Sequence, residues 1–209
     1  MGVQDRNRKS LDVLSLCTAV LTDPYIGRFV FNQLFPLTFW LLNILELEER
    51  GVFENKPYGW VRSFINRHLR TRISCFAIVY KRLFPLDIDK IVKSFSPDNI
   101  GGGYCNHCGQ CCFFFGGLGL FTEPWPFPIR WKRFFTDGLG RDHLFCAFLW
   151  EWRRSGKSLC AIYPWRPVVC DLFGEEECRY YLEAPHLPYA HLDRARDCIS
   201  RILRNRRLR

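Results

Sequence analysis

Eight of the eleven cysteines fall between Cys105 and Cys178. Four occupy one knot, Cys105-Asn106-His107-Cys108-Gly109-Gln110-Cys111-Cys112, and Cys146, Cys160, Cys170 and Cys178 follow. Thiolates at i, i+3 and i+6 on a tight turn converge, and convergent soft anions need a thiophilic cation or oxidation to hold them together. The knot states what the chain carries, not what the chain does with it.

Spacing narrows the chemistry. Cys105, Cys108 and Cys111 keep the C-x2-C-x2-C rhythm that supplies three thiolates to one 4Fe–4S cube. A standard ferredoxin would place its fourth cysteine three residues after Cys112, where this chain has Phe115. Cys111 and Cys112 are adjacent, so on a strand their side chains oppose and on a helix they diverge by about 100°. Two centres, a metal ligand beside a redox thiol, or a polynuclear cluster offering separate iron atoms would each accommodate them. Together with Cys146, Cys160, Cys170 and Cys178 the knot has enough sulfur for two four-sulfur sites, with Cys178 the weakest member. His107, inside the knot, and His143, three residues before Cys146, are secondary candidates that read as loop residues; His68, His186 and His191 have no ligand spacing.

These words resemble the CxxCxxCC family of zinc- or iron-chelating proteins, also called YkgJ-type cysteine-cluster proteins. The resemblance runs through Cys105-x2-Cys108-Gly109-x-Cys111-Cys112, Cys146-Ala147-Phe148-Leu149, Cys160-Ala161-Ile162-Tyr163 and Arg166-Pro167-x2-Cys170, about a third of the chain. It implies a small domain that chelates iron as an iron–sulfur cluster, or zinc. A related domain occurs in flagellin lysine methylases, which adds metal-dependent protein modification to the implied activities. Asp171, Leu172, Phe173 and Gly174 stand where the family has an arginine and then Phe-Pro. Arg166 is the one cation inside these words. A guanidinium beside thiolates offsets their charge and donates hydrogen bonds; the plainer alternative is a surface arginine before a turn proline.

The elements that must position these sulfurs read as mainly α with a small β-hairpin. A helical N-terminal region (1–100) precedes a loop-rich, metal-stapled cysteine-cluster domain (101–185) and a basic C-terminal helix (186–209), with the first boundary near Pro97 to Gly103. Leu11, Leu14, Val20 and Leu21 share one helical face, and Thr22-Asp23-Pro24 carries cap chemistry for the next element. Phe29 to Leu47 is the most apolar stretch. Asn32, Gln33, Pro36 and Asn43 interrupt it, so it reads as a buried core helix in preference to a membrane-surface helix or a span of about 20 apolar residues. Pro36 is expected to kink or divide it. Arg62 to Arg82 reads as a helix whose Arg62, Arg67, Arg70, Arg72, Lys81 and Arg82 form a solvated face. Gly101 to Gly103, Gly116, Gly117 and Gly119 give the knot a pliant frame able to bring amides to sulfur, and Phe113, Phe114 and Phe115 would shield a centre. Glu123 to Pro128 reads as a stiff aromatic lid. Leu144 to Leu149 and Leu159 to Tyr163 read as two strands joined through Arg153 to Lys157.

A chain of 209 residues with 48% hydrophobic and 24% charged content has a real core. The formal charge is +9, and the tail from Arg194 to Arg209 contributes through Arg201, Arg204, Arg206, Arg207 and Arg209 on a helix with Ile199, Ile202 and Leu203. Such a helix suits a protein partner, an anionic surface or peripheral membrane contact. No aromatics interleave with these arginines, so sequence-specific nucleic-acid reading is not favoured. No signal or lipidation motif is convincing, and a reducing, cytoplasmic setting is expected, where clustered cysteines mean metal more often than disulfide. Ser155-Gly156-Lys157-Ser158 lacks the upstream glycine of a phosphate loop, and no nucleotide, serine-hydrolase or zinc-peptidase motif is present. Three functions remain: an iron–sulfur protein for electron transfer, redox sensing or partner assistance; a structural zinc protein whose basic surface binds a macromolecule; and a metal-dependent modifying enzyme.

Overall fold

The computed structural model describes residues 12–83, 108–109, 111–114, 125–153, 156–171, 173–183 and 191–207. Cys105, His107, His186, Phe115, Arg209, the glycines of 101–103 and 116–119, and the proposed boundary at 97–103 lie outside them. The described residues form helices α1 (Val13–Leu21), α2 (Gly27–Val30), α3 (Leu37–Glu49), α4 (Tyr58–Leu83), α5 (Cys111–Phe114), α6 (Arg130–Thr136), α7 (Val168–Asp171), α8 (Glu175–Glu183) and α9 (Leu192–Arg207). Strands β1 (Leu149–Trp152) and β2 (Lys157–Cys160) make one antiparallel hairpin. The mainly α class with a small hairpin is therefore the observed one.

Helix α3 is the centre of the fold. Ten of its thirteen residues are buried, so it has almost no solvent face, as an all-round apolar helix requires. It packs against α1, α4, α9 and β1. Pro36 divides the apolar stretch as expected: α2 ends at Val30, a turn follows, and Pro36 stands at the N-cap of α3. No helix among the described residues is long and apolar enough to cross a membrane.

Helix α9 docks through Leu192, Ala195, Cys198, Ile199 and Ile202, which are buried, against α3. Its Arg194, Arg196, Arg201 and Arg204 stay exposed. The apolar face of α9 is thus buried in the protein's own core.

The hairpin lies closer to its turn than the sequence suggests. Leu149 pairs with Cys160 and Trp152 with Lys157, so 144–148 and 161–163 are not strand. The Cys146 segment instead bends: the Cys146 amide bonds to the Cys112 carbonyl at 2.7 Å, and the Leu149 amide to the Cys146 carbonyl at 3.2 Å. Polar side chains of the helices take the remaining backbone groups of this stretch. In the described part of the lid, Phe127 stacks on Trp131 at 4.9 Å and meets Trp165 edge-on at 5.0 Å; Glu123 and Pro124 lie outside the described residues.

Candidate metal centre

The segment that carries Cys146 is clasped by one stripe of α4. His68, Arg72 and Cys75 sit at i, i+4 and i+7 and so share a face. The His68 Nε2–H donates to the Asp142 carbonyl at 3.0 Å. Arg72 donates from Nη1 to the Cys146 carbonyl at 2.7 Å and from Nη2 to the Phe145 carbonyl at 2.9 Å. The Cys75 thiol lies 3.8 Å from the Ala147 carbonyl. Helix α3 adds Asn43, whose amide donates to the Asp142 carbonyl at 2.8 Å and accepts from the Leu144 amide at 2.9 Å. Together these contacts pair backbone groups of a segment that has no strand partner there.

The hairpin is fixed by the same logic at the other end of α3. Buried Glu151 accepts from the Thr38 amide at 2.9 Å and from the Thr38 hydroxyl, placing a carboxylate at the positive end of the helix. Burial raises its pKa, against which the Thr38 bonds work. Arg153 donates to the carbonyls of Val30, Phe31 and Asn32 at the end of α2.

On this frame several thiols act on one another. The Cys112 sulfur hydrogen-bonds with those of Cys111 and Cys146, and these contacts push its pKa well above the ordinary thiol value while pushing Cys111 and Cys146 below theirs. Of these three thiols, Cys112 is the one whose proton is held more tightly than usual. Cys160 is also held high, first by burial and then by the fields of Cys146, Cys170 and Cys111. Cys111, Cys112, Cys146, Cys160 and Cys170 thus come from α5, the clasped segment, β2 and α7 to one locality. Adjacent cysteines were expected to diverge. On the single turn of α5 the Cys112 thiol instead interacts with both Cys111 and Cys146.

Two cations face the group. Arg72 is 2% exposed; burial lowers its pKa, and Cys75, Cys146 and Cys112 raise it. Its Nε has no partner among the described residues. Arg166 favours the thiolate of Cys111, and its guanidinium lies 4.1 Å from the Tyr163 ring centroid. Two backbone amides, of Phe148 and Ile162, donate toward the sulfurs of Cys146 and Cys160.

The rest of the knot is anchored nearby. Gly109 is buried with φ +82°, and a Cβ there would lie 2.8 Å from Phe39 Cε1 and 3.1 Å from Ser158 Cβ, so only glycine lets the knot approach α3 and β2 this closely. Phe113 packs edge-on to Phe145 at 5.2 Å. Cys108 is half-buried beside Gly109, and Cys178 is half-buried on α8. His143 stacks on His68 at 3.7 Å between ring centroids. Burial holds His68 down to about 4 and His143 to about 2, so both rings are neutral at ordinary pH.

Arg72 corrects the reading of Arg62–Arg82 as a wholly solvated row, and it is the residue sequence reasoning missed. A signal was present. Val61, Phe64, Ile65, His68, Leu69, Arg72, Cys75, Phe76 and Val79 are the buried stripe of α4, and Arg72 falls on it at helical spacing.

The donor set suits a thiophilic ion: clustered thiols, amide N–H groups aimed at sulfur, and flanking guanidiniums with no competing carboxylate among the groups that act on them. Among the described residues no three Cys, His, Asp or Glu side chains are arranged as a group able to hold a metal ion, and Cys105 lies outside those residues. No protein-family model matches this chain, and no curated protein or solved structure matches it.

Proposed function

We propose that the chain is a metal-binding cysteine-cluster protein that carries an iron–sulfur cluster for electron transfer, redox sensing or assistance to a partner. What supports this reading is that Cys111, Cys112, Cys146, Cys160 and Cys170 lie near enough to act on one another's charge, with Arg72 acting on Cys146 and Arg166 on Cys111. With Cys105, Cys108 and Cys178 these are the candidate ligands. A bound cluster supplies one-electron chemistry, and its potential depends on net charge, hydrogen bonds to sulfur and access of water. This chain's residues act on each lever. Arg72 and Arg166 offset thiolate charge, the Phe148 and Ile162 amides hydrogen-bond to sulfur, and Phe113 and Phe145 exclude water. On the same reading the exposed arginines of α9 give a salt-dependent contact with an anionic partner surface.

Anaerobic isolation followed by iron, sulfide and zinc analysis and visible absorption tests the proposal. A brown protein with stoichiometric iron and sulfide supports it, with Cys112→Ser and Cys146→Ser losing the colour and Cys17→Ala, on α1, keeping it. A colourless protein with zinc and no sulfide replaces it with the structural zinc reading, and one with neither metal removes both.

A further inference from the structure

A cleft runs between α4 and the segment 134–139, on a part of α4 that the clasp uses only at Cys75. Its volume is about 540 Å³ and it opens to solvent, within the roughly 300–1,000 Å³ of small-molecule sites. Arg67 and Arg70 line it toward the start of α4. Ile78, two turns further on, and Phe134 and Leu139 from the facing segment supply apolar surface. No carboxylate is among its described lining residues. Ile78 is 46% exposed, so its apolar surface is open to an occupant of the cleft. Both guanidiniums are held in place. Arg70 Nε donates to Asn66 Oδ1 at 3.0 Å, which leaves its Nη pair out of that bond, and Arg67 lies 5.7 Å from the Phe64 ring centroid. Cations ordered before binding lose less freedom on capturing an anion, and paired guanidiniums match the oxygens of a phosphate or carboxylate.

We propose that this cleft binds a small anionic amphiphile, with a phosphate or carboxylate head on Arg67 and Arg70 and an alkyl or aryl tail along Phe134, Leu139 and Ile78. The occupant would sit against Cys75, whose thiol faces the Ala147 carbonyl beside Cys146, one side chain away from the clasped segment. This inference does not depend on the metal proposal.

Calorimetric titration of the full chain with monomeric octyl phosphate tests it. One site per chain is expected, with octanol and inorganic phosphate each weaker by roughly tenfold or more, a step of about 1.4 kcal/mol. Arg67→Gln/Arg70→Gln should weaken octyl phosphate by at least about as much; both residues are exposed, and far-UV circular dichroism checks that the fold persists. The proposal is overturned by absent binding, by octanol or inorganic phosphate binding equally well, or by an unchanged double variant. Binding to phosphatidic acid vesicles without binding to octyl phosphate also overturns it, because that result describes a charged surface and not a cleft. The titration reads the cleft whether or not a cluster is found.

Discussion

The helical frame and the cysteine-bearing segment are held by different physics. Helix α3 is enclosed by apolar side chains on almost every side, a non-directional interaction that tolerates substitution when volume is kept. The 142–151 segment has little regular structure and depends on directional bonds from Thr38, Asn43, His68 and Arg72. The segment joins the same apolar core through Phe145, Ala147, Phe148, Leu149 and Trp150, and the directional bonds set its path there. The path of the Cys146 segment is thereby set by side chains of α3 and α4.

Breaking the clasp should separate the two regions most sharply. Arg72→Met removes the Arg72 bond to the Phe145 carbonyl and one of two bonds on the Cys146 carbonyl, and should cost about 1–3 kcal/mol. Urea unfolding measures the loss. Native-state labelling should find Cys112 and Cys146 more reactive while far-UV helicity is kept, and equal loss of helicity would show that frame and segment are one cooperative unit.

Acid should act on the clasp next. His68 and His143 stay neutral in the fold, at about 4 and about 2, whereas the unfolded chain takes up these protons near pH 6.5. Stability is therefore full above about pH 6.5 and falls as pH drops toward 4, by about 2–3 kcal/mol for His68 alone. Glu151 works with the opposite sign: its raised pKa means stability falls as pH rises past about 4.5. His68→Gln should flatten the imidazole slope, read from denaturation midpoints between pH 4 and 7.

Smaller changes sharpen the contrast. Gly109→Ala must relieve both the +82° φ and the 2.8 Å approach to Phe39, and should cost about 1–3 kcal/mol while lowering metal content per chain. Thr38→Val deletes one hydroxyl donor to Glu151 and should cost about 1–2 kcal/mol, seen as a lower thermal midpoint. Arg204→Gln, on the exposed face of α9, should shift stability by less than about 0.5 kcal/mol, because that helix is held by its apolar face.

Much of the frame was legible. The apolar run broken at Pro36, the long α4 and the amphipathic α9 each announce themselves by periodicity and breakers. The hairpin sits nearer its turn than the apolar pattern indicates, because Leu144 to Phe148 are as apolar as strand residues yet serve to carry Cys146 to Cys112. Arg72 was hidden by its type: a charged residue in a row of charged residues reads as solvated unless its phase on the helix is followed. Glu151 and Thr38 were hidden for a related reason, since a buried ionisable group is defined by its partner, and the partner lies 113 residues away.

By itself the sequence determined the donors and the local elements: which residues are thiols, how the knot is spaced, and where helices start and stop. These follow from side-chain chemistry and from periods of a few residues. Only the tertiary structure decided which thiols act on one another and that a guanidinium 74 residues from Cys146 stands beside it. Contacts at that separation are set by how packed helices present their faces to one another, and no local pattern of residues encodes that.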